Sequence, residues 1–492
     1  MWCRCNILRL VYFLKALSNR VQSIAGLSSA IGPFRWRTCL WFARRTSAQH
    51  SRTLSLFAVS LVLTFTSTAE FAQTQSNANA AAELRRAAEL LQSGKIDEAE
   101  PVLRHVLASD PKNADAHNLL GIVLDQRSKT GEAEREYRMA LRLNPNSLSA
   151  MANLGILLAR IHREGEAIKM FESVLHAAPE HPQATINLGL LYASRKDYEH
   201  AVLLLAKANQ LQPNRFDILF QLGVALYNLN RLDEATNTFE SASALSPSAA
   251  EPFYYLGLIA STRGQDEAAR ALFEKALTLR ANYPEANFSL GELLLKHNNY
   301  DRAKDSYERA LRQDPTRPVY YARLGGALML LQNFDRAIEV FRSATARFPE
   351  NPDMHYYLAL AARGTGDFDV ALSALRKSLL LKPDQVDVLA LLGTILNDRG
   401  NTAEAESYLR RAIALNDKHF NAYHDLGRLL VRSRRYEESV PILQRAATLN
   451  TDDPDVHYQL FLALSRLKRI ADADRELETY KRLTQEQKAK KN

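Results

Sequence analysis

Glycine recurs at 121, 155, 189, 223, 257, 291 and 325, always 34 residues apart. The series skips Ala359 and resumes at Gly393 and Gly427. One step back reaches Ala87, and one step beyond Gly427 reaches Phe461. Other columns keep the same step. Leucine stands one place before the small residue in nearly every period, from Leu120 to Leu460. Alanine stands twelve places after it, at Ala99, Ala133, Ala167 and onward to Ala473, with Ser439 the exception. Proline closes most periods, at 111, 145, 179, 213, 247, 315, 349 and 383. A fixed period of this length requires a chain of stacked supersecondary units, because one unit cannot bury its own apolar face. Twelve repeats of 34 residues run from 80 to 487 without an insertion, starting at 80, 114, 148, 182, 216, 250, 284, 318, 352, 386, 420 and 454.

The repeat 148–181 shows what each one folds into. Met151, Leu154, Leu158 and Ile161 recur at helical spacing on one face. Gly165 is expected to break the chain after about four turns. Ala167, Ile168, Phe171, Val174 and Leu175 form a second apolar face, which Pro179 ends. Glycine in the first helix and alanine in the second let the two helices approach closely, with the neighbouring leucine and aromatic filling the groove. Glycine costs up to about 1 kcal/mol of helix propensity relative to alanine, so its recurrence indicates that close packing outweighs that cost. Pro101 and Pro441 are expected in the first turn of second helices, where the missing N–H is tolerated.

Leu-Gly, a downstream alanine, an aromatic (Tyr137, Phe171, Phe239, Phe273, Tyr307, Phe341), a second alanine and a proline, at a 34-residue period, resemble the tetratricopeptide repeat. The resemblance implies an all-α solenoid of about twelve helical hairpins wound into a right-handed superhelix. It implies protein or peptide partners as well. The array also resembles the superhelical arm of O-linked N-acetylglucosamine transferases. Their catalytic domain is expected to be absent, since only the basic tail 488–492 follows the array.

The formal net charge of +8 belongs to one segment. Residues 1–69 hold nine of the 63 basic residues and no acidic one, leaving 54 basic against 55 acidic residues in the remainder. The array is therefore neutral, and no nucleic-acid partner is expected. Arg44, Arg45 and Arg52 precede an uncharged apolar run, 54–65, and small residues follow at Ser67 and Ala69. Those are the parts of a secretory signal. The run is too short to span a bilayer core comfortably, which needs roughly 20 apolar residues. The chain is expected to be exported, periplasmic or secreted, with a mature start near Glu70 or Gln73 and a linker over 70–79. An organellar transit peptide, an uncleaved anchor touching a membrane, and a misplaced start are the alternatives for the Arg- and Ser-rich segment 1–43. All three cysteines (Cys3, Cys5, Cys39) lie there, so the array has no thiol for a disulfide, metal site or nucleophile.

No phosphate-loop, nucleophile-elbow or zinc-protease motif occurs in the sequence. Neither an enzyme nor a cofactor or metal is expected. His117, His355 and His457 share one repeat column but lie three or more repeats apart, so they read as packed structural histidines. The informative surface is the inner face formed by the first helices. Its second position is often acidic, as in Glu251, Glu285 and Asp353, and an aromatic stands three residues later, as in Phe220, Tyr254, Phe288 and Tyr356. That strip suits an extended peptide with apolar and basic side chains. Equally, acids favour helix starts and aromatics fill gaps between hairpins. The carboxylate clamp of chaperone-binding tetratricopeptide proteins needs a lysine where this chain has Asn118, Ala152, Ile186, Phe220 and Tyr254, so it is expected to be absent. Asn153 and Asn187 match the backbone-binding asparagine ladder of the transferase arm, with Gln221 a variant, before Tyr255 and Ser289 depart from it. The leading expectation is a non-enzymatic scaffold that holds a protein segment in the groove. The alternatives are a recognition arm for an enzyme on a separate chain, and an architectural spacer in an envelope assembly.

Overall fold

The computed structural model describes residues 79–491. The leader 1–69, its apolar run and linker residues 70–78 lie outside the described residues. Within them there are 24 helices and no strand. The chain alternates a first and a second helix in every repeat, as Leu148–Arg160 and Glu164–Ala177 do in the third. The last helix, Ile470–Lys491, is the longest at 22 residues. No described helix is long and apolar enough to cross a membrane.

Local chemistry sets the helix starts. Asn113 and Ser147 accept hydrogen bonds from the backbone N–H groups of Ala116 and Ala150. Pro182, Pro284, Pro318, Pro352 and Pro454 open first helices, where a missing N–H removes no helical bond. The reversal inside each hairpin is made by one left-handed residue, and these residues form a period-34 column of their own: Gly94, Ser128, His162, Lys196, Asn230, Gly264, Asn298, Gln332, Gly366, Gly400, Arg434 and Lys468. In the third repeat the amide of Arg163 bonds to the carbonyl of Leu158 (2.8 Å) across His162, closing the helix end. The expected break at Gly165 is therefore misplaced. His162 makes the turn, and Gly165 is the second residue of the second helix. The two prolines also need correcting. Pro101 and Pro441 are the sixth residues of Ile96–Ser109 and Tyr436–Leu449, one turn deeper than expected. Both are exposed, so the carbonyl each leaves unbonded is on the solvent side.

The glycine column does what its recurrence implies. A Cβ on Gly257 would stand 2.6 Å from the ring of Phe273, and one on Gly121 or Gly291 would stand 2.6 Å from Tyr137 or Tyr307. Each ring lies sixteen residues downstream, on the second helix of the same hairpin, and is at most 2% exposed. Burying such a side chain contributes about 1.5–3 kcal/mol, which exceeds the propensity lost at the glycine.

The sequence reads as one array, whereas the structure groups the described residues into two compact units that divide between Leu245 and Ser246. In the first, Leu120, Val123, Tyr137, Leu154, Leu158 and Phe171 belong to one core. In the second, Tyr307, Leu324, Phe341, Leu392, Ile395 and Leu409 do so.

Candidate functional site

Two sets of polar contacts define two layers of helices within each unit. First helices of successive hairpins are joined by side-chain bonds. In the first unit Asn153 Nδ2 donates to Asn118 Oδ1 (3.0 Å), and Arg160 pairs with Asp125. In the second, Arg323 Nε meets Glu292 (2.9 Å), Thr394 Oγ1 donates to Asp425 (2.5 Å), and His424 Nε2 meets Asp455 (2.7 Å). Second helices are joined by arginine–carboxylate pairs, including Arg138–Glu166 (3.0 Å), Arg336–Glu308 (3.1 Å) and Arg376–Glu404 (3.2 Å). The first-helix layer therefore presents one face to its partner layer and the opposite face outward. Apart from Asn153, which is buried between first helices, the residues singled out in the sequence stand toward that outward face.

The aromatics of this face are half-buried; Phe288 packs against the next hairpin, and the others against rings of their own repeats. Tyr254 lies 5.0 Å from Tyr283 and 6.0 Å from Phe273. Phe288 lies 5.1 Å from Tyr320, on the next first helix, and 5.8 Å from Tyr307. Tyr356 contacts Tyr357 at 5.8 Å, and burial pushes its hydroxyl above the ordinary tyrosine range. Phe220 stacks on Phe216 (5.9 Å) and belongs to the first unit, so it does not share a compact unit with Tyr254, Phe288 and Tyr356.

The three acids differ. Glu251 is engaged by Arg280 (2.7 Å), whose guanidinium also lies 3.6 Å over the Tyr283 ring. Glu285 is half-buried and Asp353 exposed, and neither side chain makes a hydrogen bond or ion pair among the described residues. The amides differ too. Asn153 is 7% exposed and is occupied by Asn118. Asn187 Nδ2 donates to the carbonyl of Gln183 in its own helix (2.8 Å). Gln221 is half-buried on the same face.

His117 and His457 are tied inside their own hairpins, each Nδ1 at 2.6 Å from Glu136 and Glu476 respectively, and His355 Nε2 meets the carbonyl of Pro349 (2.9 Å). No three His, Cys, Asp or Glu side chains among the described residues converge in a way that could hold a metal ion.

Sequence reasoning missed a polar cluster at the C-terminal end of this face. His424 stacks on Phe420 (5.7 Å) and lies between Asp455 and Asp425 (3.9 Å). Arg428 reaches both Asp425 and Asp398 at 3.4 Å. Burial alone would lower the His424 pKa, but the Asp455 hydrogen bond and the Asp425 charge outweigh it and raise the value. Part of the signal was available in the sequence, since His424 and Arg428 stand in columns that are otherwise mainly aromatic or apolar.

A family model described as Tetratricopeptide repeat matches residues 84–147 and 220–287. One for the C-terminal domain of cilia and flagella-associated protein 70 matches 261–459, and one for anaphase-promoting complex, cyclosome, subunit 3 matches 160–242. No curated protein matches the chain. Among solved structures, yeast Tom70 is similar at 16% identity, covering 82% of this chain and 97% of that one, with a TM-score of 0.34. PilF of Pseudomonas aeruginosa is 21% identical over 45% of this chain and 99% of its own, with a TM-score of 0.40. The Cut9–Hcn1 assembly of the anaphase-promoting complex is 14% identical over 81% and 92%, also with a TM-score of 0.40.

Proposed function

Since the chain is a tetratricopeptide repeat protein, we propose that it is a non-enzymatic scaffold that holds a peptide or protein segment against the outward face of its first helices. The observation that carries this is the state of that face in the second unit. Among the described residues Glu285 and Asp353 stand on it without hydrogen-bond or ion-pair partners, close to half-buried aromatic rings. Uncommitted carboxylates beside apolar surface suit a cationic, partly apolar ligand. We further propose export, resting on the acid-free leader and its short apolar run. Intact mass of native protein tests that part: a mature chain retaining Cys3 or Cys39 refutes it.

Photocrosslinking tests the binding surface. Peptides selected on the full chain from a random display library should crosslink to first helices. Crosslinks confined to second helices refute the reading. Recovery of a stoichiometric enzyme from the native compartment, with no peptide selected, would replace it with the recognition-arm alternative.

A further inference from the structure

One hairpin of the second unit departs from the other six. Its first helix, Pro318–Leu330, reads PVYYARLGGALML, with Arg323 the only charge. Arg323 is already held by Glu292. The outward positions of this helix fall at 319, 322, 326 and 330, a single stripe at helical spacing. Val319 is 44% exposed and Leu330 54%, and Ala322, Gly326 and Met329 are half-exposed between and beside them. At the place of Val319 the other hairpins carry Glu251, Glu285, Asp353, Asp387, Asn421 and Asp455. At the place of Leu330 they carry Thr262, Lys296, Gly364, Asp398, Arg432 and Arg466. A helix that is apolar all round is the pattern of a helix covered on every side, and this one is uncovered outward.

The two adjacent glycines sharpen the point. Gly325 belongs to the packing column, and a Cβ there would strike the Phe341 ring. A Cβ on Gly326 would meet nothing within 4 Å. Nothing in the chain's own packing requires a missing side chain at 326, where glycine weakens the helix by up to about 1 kcal/mol relative to alanine. Its effect is to leave an open floor between Val319 and Leu330. On the two neighbouring hairpins, at the helix-start end, stand the partnerless carboxylates Glu285 and Asp353. At the far end Lys296 is engaged by Asp266 (2.7 Å), and Arg363 lies ten residues from Asp353, roughly 15 Å along the helix.

We propose that this stripe seats an aliphatic side chain of an extended peptide, with lysine or arginine beside it facing Glu285 and Asp353. The inference rests on the first-helix face being the binding surface and adds the residue chemistry of the partner. The aliphatic anchor fills the floor over Gly326 and covers Val319 and Leu330. The flanking cations pair with carboxylates that have no other partner among the described residues.

The test uses the full chain and fluorescent Gly/Ser peptides carrying a central Arg-Leu-Arg, Arg-Ser-Arg or Glu-Leu-Glu. Arg-Leu-Arg should bind most tightly, with each of the others roughly ten-fold weaker or more. Gly326→Leu should weaken Arg-Leu-Arg by at least as much while keeping the melting temperature at or above wild type, because the new side chain meets open space and favours helix. Glu285→Gln/Asp353→Asn should weaken it and flatten its salt dependence. No binding of Arg-Leu-Arg at millimolar concentration overturns the inference, as does binding unchanged in folded Gly326→Leu. Self-association in the absence of peptide that Gly326→Leu abolishes also overturns it, making the stripe a contact between copies. If library peptides crosslink to other first helices and never to Pro318–Leu330, the groove stands and this inference falls. If they reach no first helix, the groove itself falls.

Discussion

Gly325 and Gly326 are neighbours in one helix, and alanine at the two positions should act with opposite sign. Each substitution gains up to about 1 kcal/mol of helix propensity. At 326 nothing offsets the gain, since the new methyl meets open space, so Gly326→Ala should stabilise by about that amount. At 325 the methyl overlaps the Phe341 ring, standing 2.5 Å from Cε2, and the ring is 0% exposed. Overpacking of this kind costs about 1–3 kcal/mol, so Gly325→Ala should come out roughly 0–2 kcal/mol less stable than wild type. The next hairpin supplies the compensating pair. It carries Ala359 with Leu375 sixteen residues on, both fully buried. Phe341→Leu should therefore cost less in the Gly325→Ala background than alone, with a coupling of about 0.5–3 kcal/mol. Urea unfolding gives the totals. Hydrogen exchange over Pro318–Leu330 and Phe334–Arg347 localises the change, because solenoid stability sums local terms. Equal protection in Gly325→Ala and Gly326→Ala would refute the packing argument, as would strictly additive effects of Gly325→Ala and Phe341→Leu.

Three further outcomes follow from named contacts. His424 has a folded-state pKa raised above its ordinary value, so its stabilisation is complete below the unfolded pKa and is lost as pH rises through the folded one. Against burial, which lowers it, the shift is set by the Asp455 hydrogen bond and by the charges of Asp425 on its own helix and of Asp455 and Asp453 at the start of the next. Amide protection of the final hairpin, corrected for intrinsic exchange, should fall between mildly acidic and mildly alkaline pH, and His424→Gln should remove the dependence. Asn153→Ala should destabilise the first unit by about 1 kcal/mol by taking a partner from buried Asn118, whereas Asn187→Ala should cost less, since Asn187 bonds only within its own helix; equal losses on denaturation would contradict this. Gln332→Gly should be neutral or stabilising, because Gln332 has φ +58° and a left-handed residue other than glycine costs about 1–2 kcal/mol; a clear loss in chemical unfolding would count against that account.

The repeat and its hairpins were legible because packing forces small residues and rings into fixed columns, as Gly257 and Phe273 show. The reversals were not, because only four of the twelve left-handed residues are glycine, and positions such as His162, Lys196 and Arg434 announce nothing by residue type. Candidate residues were legible as positions on a face, but not in their state. Glu251 and Glu285 look alike in sequence, yet one is claimed by an arginine of its own hairpin, Arg280, and the other is not. Asn153 and Asn187 form a matched pair in sequence and turn to different partners, because only Asn153 has an amide at the right height on the preceding helix. The division at Leu245 had no signal, since the period runs through it unbroken.

The left-handed column has a consequence for how such a chain can change length. Every reversal sits at the same count from the last, so a residue's number within its repeat fixes the face on which it emerges. Inserting one residue in a helix turns everything after it in that helix by about 100° and carries rings like Phe273 away from glycines like Gly257. Adding or removing a whole repeat turns nothing. The molecule can lengthen or shorten by complete hairpins with its remaining contacts intact, while single-residue insertions within helices act as frameshifts of its surface.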